Sequence, residues 1–121
     1  MTSDLRLIKQ IQPLSNSLAK INKLRGVYFS WKVDEVSDLS ADEGRHIGVI
    51  AQDVQQVLPE VVSEINGGKY LGVDYTALIP VLLESIRELD IKNKALEDRV
   101  VSRLEKFLVD SLVTHERERV F

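Results

Sequence analysis

The C-terminal part of the 121-residue chain is almost free of the residues that interrupt helices, and this favours one long helix. Residues 75–121 contain no glycine, and their single proline, Pro80, stands near the start, where a lost amide hydrogen bond costs least. Asp74 or Thr76 is a suitable N-cap for a helix that begins here. The sequence therefore predicts one long helix over this stretch.

Apolar side chains in this helix recur at alternating steps of four and three residues, which is the spacing of a coiled-coil seam. The predicted seam consists of Leu82, Ile86, Leu89, Asn93, Leu96 and Val100. Asn93 is a polar seam residue of the kind that fixes register at some cost in stability. Further along, the apolar residues follow steps of four from Leu104 to Leu112, so the supercoil is expected to relax there. Because one small domain cannot bury this stripe alone, we expect the helix to associate with other copies.

The first 74 residues show shorter and more varied patterns. Residues 14–26 predict a short helix, capped by Ser15 or Asn16 and stopped by Gly26. Residues 27–33 are rich in aromatic and β-branched side chains and predict a strand.

The second part of this region predicts a strand, a helix and a hairpin. Residues 46–60 read as a short strand that leads into a short helix, which Pro59 ends and Gln52 or Asp53 caps. Asn66, followed by two glycines, lies between two β-prone runs and predicts a tight hairpin turn. The predicted fold class is therefore α+β, with a small mixed domain over residues 1–74 and the long helix over residues 75–121.

Composition excludes several kinds of site. The chain has no cysteine, so disulfides, thiolate metal ligands and cysteine nucleophiles are ruled out. Its two histidines, His46 and His115, lack the spacing of a zinc site, and we expect neither a metal nor a cofactor. A net charge of -3 argues against nucleic acid as a partner. No apolar run has the length needed to cross a bilayer, and no secretory signal precedes Ser3, so no membrane partner is expected.

Three separated segments carry a resemblance to a known family. They are residues 3–31, which begin SDLRLIK, residues 46–62, which begin HIGVIAQD, and residues 70–89, which begin YLGVDY. Together they resemble the intramolecular chaperone auto-processing domain at the C-termini of phage tailspikes, tail fibres and endosialidases, which also occurs in a membrane-bound eukaryotic transcription factor.

The resemblance implies a trimeric folding aid. Such a domain holds three chain ends together while the upstream trimer of the same polypeptide folds, and it then cuts itself off before the serine of its first motif. The implied partners are two further copies of the chain and the upstream fibre or spike segment. The implied location is the bacterial host cytoplasm during phage assembly, with the domain afterwards released from the virion tail or attached to it.

The resemblance also implies a cleavage site between Thr2 and Ser3, with Ser3 as the nucleophile and a lysine as its base. A lysine accepts a proton only when burial or nearby positive charge lowers its pKa. The family places this lysine five residues after the serine, where the present chain has Ile8. Lys9 comes one residue later, and neighbouring side chains of an extended segment point to opposite faces. Three interpretations stay open: Lys9 acts in a shifted register, cleavage is impaired, or Ile8 keeps the chain intact.

Three further residues match the family pattern. His46 matches a position associated with processing, and it is either a polar partner near the scissile bond or a structural histidine. Asp4 is a candidate for orienting the backbone beside the nucleophile, and Arg6 for pairing with Asp4 or bracing the trimer. Two functions follow from the resemblance: a self-releasing chaperone, or a trimerisation cap that does not cleave.

Overall fold

The structure is a computed structural model that describes residues 2–32 and 43–120, with side chains described up to residue 117. The chain divides into two compact units, Met1–Ser85 and Ile86–Phe121. The first unit contains short helices and strands, and the long helix begins within it and continues through the second. The predicted α+β fold class is confirmed.

The first unit begins with a 3-10 turn, Leu5–Leu7, and the short helix α1, Ser17–Ile21. The predicted helix is confirmed, but it ends before Gly26, so the prediction that this glycine stops it is wrong. The amides of Lys23 and Leu24 bond to carbonyls three residues back, which tightens the chain into turns directly after α1.

The predicted side-chain cap of α1 is also wrong. Asn16 holds the N-cap position, but its side chain makes no capping hydrogen bond. Its backbone is left-handed, with a φ of 56°, whereas a capping residue normally has extended backbone that aims its side chain at the first helical amides.

Two antiparallel pairs of strands follow. The strand β1, Val27–Phe29, pairs with β2, His46–Gly48. The predicted strand over residues 27–33 is thus confirmed in its first part, and residue 33 lies outside the described residues. The strands β3, Val62–Ile65, and β4, Tyr70–Val73, form the predicted hairpin. Its turn contains three consecutive residues with positive φ, at 52°, 68° and 83°, beginning at Asn66, and the two glycines accommodate this backbone without steric cost.

Between the two strand pairs lies the helix α2, Ala51–Val57, followed by a 3-10 turn, Pro59–Val61. The predicted strand, helix and proline stop are confirmed. The prediction that Gln52 or Asp53 caps α2 is wrong, because the N-cap is Ile50 and no side chain caps the helix. Both polar residues lie inside the first turn. The negative charge of Asp53 there stabilises α2 by its interaction with the positive end of the helix dipole.

The predicted long helix is confirmed as α3, Tyr75–Val120. Asp74 caps it, since its Oδ1 accepts a hydrogen bond from the amide of Ala77 at 3.3 Å. Pro80 lies at the sixth helical position and has no N–H to donate to the carbonyl of Thr76. Residue 121, the last of the predicted helix, lies outside the described residues.

The core of the first unit is small. It consists of Val54, Leu58, Val61, Leu78 and Val81, so α2 and its following turn pack against the start of α3. Fully burying each such side chain contributes about 1.5–3 kcal/mol.

Side chains of the second unit are exposed. Every large apolar side chain between Ile86 and Val113 is open to solvent in the single chain. Across residues 2–32 and 43–120, no helix has both the length and the apolar character needed to cross a membrane.

Candidate functional site

The predicted cleavage site adjoins a turn that local hydrogen bonds hold in place. Asp4 is the N-cap of the first 3-10 turn, and its Oδ1 accepts from the amide of Arg6 at 2.9 Å. The guanidinium of Arg6 also donates to this carboxylate, from Nε at 3.1 Å and from Nη2 at 2.7 Å. On the other side of Ser3, the Oγ1 of Thr2 accepts from the amide of Asp4 at 3.2 Å. The backbone around the Thr2–Ser3 bond is therefore flanked by side-chain contacts.

Electrostatics reinforce the pair of Asp4 and Arg6. The side-chain and backbone hydrogen bonds from Arg6 lower the pKa of Asp4, and the hydrogen bond to Asp4 raises the pKa of Arg6. Asp4 is therefore ionised at neutral pH, and both of its oxygens are engaged. This arrangement suits a group that shapes the turn better than one that accepts a proton from Ser3.

The predicted nucleophile and base are not hydrogen-bonded to each other in the single chain. Ser3 and Lys9 are both exposed, and among the described residues no hydrogen bond joins Ser3 to Lys9 or to His46. Ile8 follows the turn with an extended backbone, at φ -116° and ψ 154°, and Gln10 bends the chain with a φ of 55°. The roles of Ser3 and Lys9 stay predictions.

His46 belongs to an aromatic cluster that sequence analysis missed. It lies opposite Phe29 in the β1–β2 pair, and the two rings are stacked with centroids 5.5 Å apart. Trp31 contacts both, with centroids 5.1 Å from Phe29 and 5.9 Å from His46. Phe29 and Trp31 are two residues apart, which is the spacing of side chains on one face of a strand, and this signal was available in the sequence. His46 thus has a packing role, and its role in processing stays a prediction.

An apolar groove of about 420 Å³ lies beside β2 in the first unit. Its lining includes Leu24 from the region after α1, Ile47 from β2, and Tyr75, Leu78 and Leu82 from α3. The first residue of the predicted seam, Leu82, therefore also lines this groove. Sequence analysis did not find the groove, because its walls come from segments far apart in the chain.

The predicted seam is open to solvent in the single chain. Exposed fractions of its apolar members run from 45% at Leu82 and Leu89 to 68% at Ile86, and Asn93 is exposed between them. Within the described ranges, no group of three or more histidine, aspartate or glutamate side chains is arranged to hold a metal ion. The seam is thus a large apolar surface that the described residues leave open to solvent.

Comparison with known proteins identifies the family. Residues 3–63, half of the chain, match the family described as chaperone of endosialidase. The long tail fiber protein Gp37 of Enterobacteria phage K3 is 34% identical over 102 residues, covering 82% of this chain and 8% of the phage protein. Gp37 of Enterobacteria phage M1 is 33% identical over 105 residues, covering 84% of this chain and 41% of its own length. The chain thus spans less than half of these relatives. The resemblance seen in the three sequence segments is confirmed, and the chain belongs to the chaperone of endosialidase family.

Proposed function

We propose that this chain is the chaperone domain of a phage tail fibre and acts in the assembly of that fibre. Its family is described as a chaperone, and long tail fiber proteins of two phages match most of its length. The observation that carries the proposal is the exposed seam on α3, because a chaperone that gathers chains needs a surface that only other chains cover.

The assembly step is homotrimerisation through this seam. Burying a leucine or isoleucine contributes about 1.5–3 kcal/mol, so several seam residues per chain supply a strong driving force. The spacing of the seam does not choose three helices over two; the number three comes from the family resemblance. Asn93 then sets the register of the helices.

The trimer acts as a template for the fibre. Intertwined fibrous trimers contain many contacts between residues far apart in sequence, which form slowly and expose aggregation-prone edges meanwhile. Holding three chains together at one end raises their effective concentration. Nucleation of the upstream fibre then becomes an intramolecular event.

Release follows by self-cleavage. The hydroxyl of Ser3 gives its proton to a base, for which Lys9 is the candidate, and its Oγ attacks the carbonyl carbon of Thr2. The C–N bond between the two residues then breaks, and the freed amine of Ser3 takes up the proton from that base. Water then hydrolyses the ester between Thr2 and the Ser3 oxygen. The turn held by Asp4 and Arg6 supports this step by ordering the backbone beside the nucleophile.

A second candidate is a trimerisation cap that does not cleave. Ile8 favours it, because an isoleucine stands where the family pattern has the lysine base. The two candidates are separated by fusing the chain to upstream fibre residues and following the protein on a denaturing gel. A released fragment whose mass corresponds to a chain that starts at Ser3 supports self-release. An intact fusion protein that is still trimeric by sedimentation supports the cap, and a monomer contradicts both.

A further inference from the structure

Charged residues flank the seam of α3 with one sign on each side. With seam residues at heptad positions a and d, Asp90 and Glu97 occupy the e positions, directly after Leu89 and Leu96. Lys92 and Arg99 occupy the g positions, directly before Asn93 and Val100. The four flanking charged residues lie in the second unit and are exposed.

The described residues leave most of these charges without a counterion. Asp90 is paired, because Lys94 at its outer side donates to its Oδ2 at 2.9 Å. In the described part of the chain, Lys92, Glu97 and Arg99 form no ion pair. The flanks of the seam therefore present a basic edge and an acidic edge that are available to a neighbouring helix.

We propose that these two edges select a parallel, in-register copy of the same chain as the partner of α3. The inference rests on the proposed function, in which the seam is covered by other copies. In a parallel bundle a g residue faces the e residue five positions later on the neighbour, so Lys92 of one copy meets Glu97 of the next. In an antiparallel bundle g residues face g residues and e residues face e residues, so Lys92 meets basic residues and Glu97 meets acidic ones.

The relative direction of the α3 helices matters for templating. A parallel bundle brings the N-terminal ends of all α3 helices to the same side, and with them the preceding segments of each chain. An antiparallel pair sends these segments in opposite directions, and they cannot then meet to nucleate one fibre. The apolar seam by itself favours neither direction, so the charged edges carry this choice.

The test compares charge variants of the full chain by sedimentation equilibrium at low salt. Lys92→Glu and Glu97→Lys each place like charges opposite one another, and each raises the concentration of half-assembly roughly tenfold, as summed over the pairs of a trimer. The double variant Lys92→Glu with Glu97→Lys restores assembly to near the parent value. Asp98→Lys is the matched control, since it makes the same change of charge at a position f that faces away from the seam, and it leaves assembly unchanged. In 1 M salt the single variants approach the parent, because screening removes the repulsion.

The relative direction of the α3 helices is measured separately by disulfide cross-linking, with a single cysteine introduced into this cysteine-free chain. In a parallel bundle, Val100→Cys lies beside its own copies and forms disulfide-linked dimers on a non-reducing gel. A three-helix bundle with one antiparallel helix keeps one parallel pair and also gives this dimer, so Val100→Cys chains are mixed with Leu89→Cys chains as well. In an antiparallel pair whose Asn93 packs against Leu96 of the neighbour, residue 100 lies beside residue 89, whereas in a parallel bundle the two positions are about 16 Å apart along the helix axis. A mixed disulfide between Val100→Cys and Leu89→Cys chains overturns this inference, and so does an unchanged assembly midpoint in Lys92→Glu. In either case a trimeric parent leaves the proposed function standing. A monomeric parent chain contradicts the proposed function itself, and this inference with it.

Discussion

The hydroxyl oxygen of Tyr75 lies 2.5 Å from the position that a β-carbon on Gly48 would occupy, so the first residue of α3 fills the space beside the last residue of β2. A ring carbon of Phe29 lies 3.0 Å from the same position. The amide of Val49 donates to the Tyr75 oxygen at 3.1 Å. A side chain at position 48 would therefore have to displace the aromatic ring of Tyr75 or Phe29.

Gly48→Ala is therefore expected to lower the free energy of unfolding by about 1–3 kcal/mol, since the added methyl group displaces Tyr75 or Phe29. Urea unfolding measures the change. Gly26→Ala is the matched control, because a β-carbon there meets no atom within 4 Å, and its unfolding midpoint should stay close to that of the parent. Equal loss of stability in the two variants would show that the contact with Tyr75 is not responsible.

Tyr75→Phe tests the same contact from the other side. It removes the oxygen that crowds position 48 and also the acceptor of the Val49 hydrogen bond, so alone it is mildly destabilising. In the double variant with Gly48→Ala the clash is relieved, and the combined loss should be smaller than the sum of the single losses. Simple additivity in this double-mutant cycle would contradict the packing described for the two residues.

The turn beside the cleavage site has a predictable response to acid. Because Arg6 lowers the pKa of Asp4 in the folded chain, the stabilising contribution of the pair is present above the ordinary value of 3.8 and is lost as pH falls through the lower folded value. An NMR titration of the Asp4 carboxyl carbon should give a midpoint below 3.8. Arg6→Gln should raise that midpoint toward the ordinary value, and an unchanged midpoint would show that Arg6 is not the cause.

Association should depend on the seam rather than on exposed apolar surface in general. Leu89→Asp with Leu96→Asp places charge in the seam and should convert the oligomer to monomer at micromolar concentration, as measured by sedimentation equilibrium. Ile91→Asp is the control, because Ile91 is 63% exposed in the single chain but lies outside the seam. Loss of assembly in the control, or its persistence in the seam variant, would contradict the assignment of the interface.

Self-cleavage should respond to position 8. In a fusion with upstream fibre residues, Ile8→Lys supplies an amine where the family pattern has its base, and cleavage between Thr2 and Ser3 should begin or accelerate. Mass spectrometry of the released fragment measures it. If isoleucine and lysine at position 8 give equal cleavage, the base lies elsewhere.

Ser3→Ala tests the predicted nucleophile, and Lys9→Ala tests the candidate base. Ser3 is exposed, so its replacement should change thermal stability by no more than about 0.5 kcal/mol while it abolishes any cleavage. Lys9→Ala should abolish cleavage only if Lys9 acts as the base in a shifted register. Cleavage that persists in purified Ser3→Ala with protease inhibitors present would exclude the serine mechanism.

Local patterns in the sequence predicted the elements of the fold, and contacts between distant segments account for what they missed. The absence of glycine after residue 74 predicted α3, and the Asn66 turn predicted the β3–β4 hairpin, because both signals lie within one continuous segment. The prediction that Asn16 caps α1 was wrong because the backbone of Asn16 is left-handed. Asparagine tolerates this conformation but does not require it, so the sequence did not reveal it.

The candidate site was likewise predictable where its residues are continuous in sequence, and not where distant segments meet. The motif around Ser3 is continuous in sequence, so its candidate residues could be named from the sequence, and in the structure Arg6 pairs with Asp4, which is one of the two roles expected for it. The stack of His46 on Phe29 depends on the register of β1 with β2, which no local pattern specifies. The contact of Tyr75 with Gly48 likewise joins residues that only the folded first unit brings together.

If this chain templates the folding of an upstream fibre, the yield of folded fibre should depend on it. The natural upstream segment is expressed alone, with the chain attached, and with the Leu89→Asp, Leu96→Asp variant attached, and detergent-resistant trimer is measured on unheated gels. We expect abundant fibre trimer only with the parent chain, and the same yield with Ser3→Ala, which assembles but does not cleave. Equal yields of fibre trimer with and without the chain would show that the chain does not template the fibre.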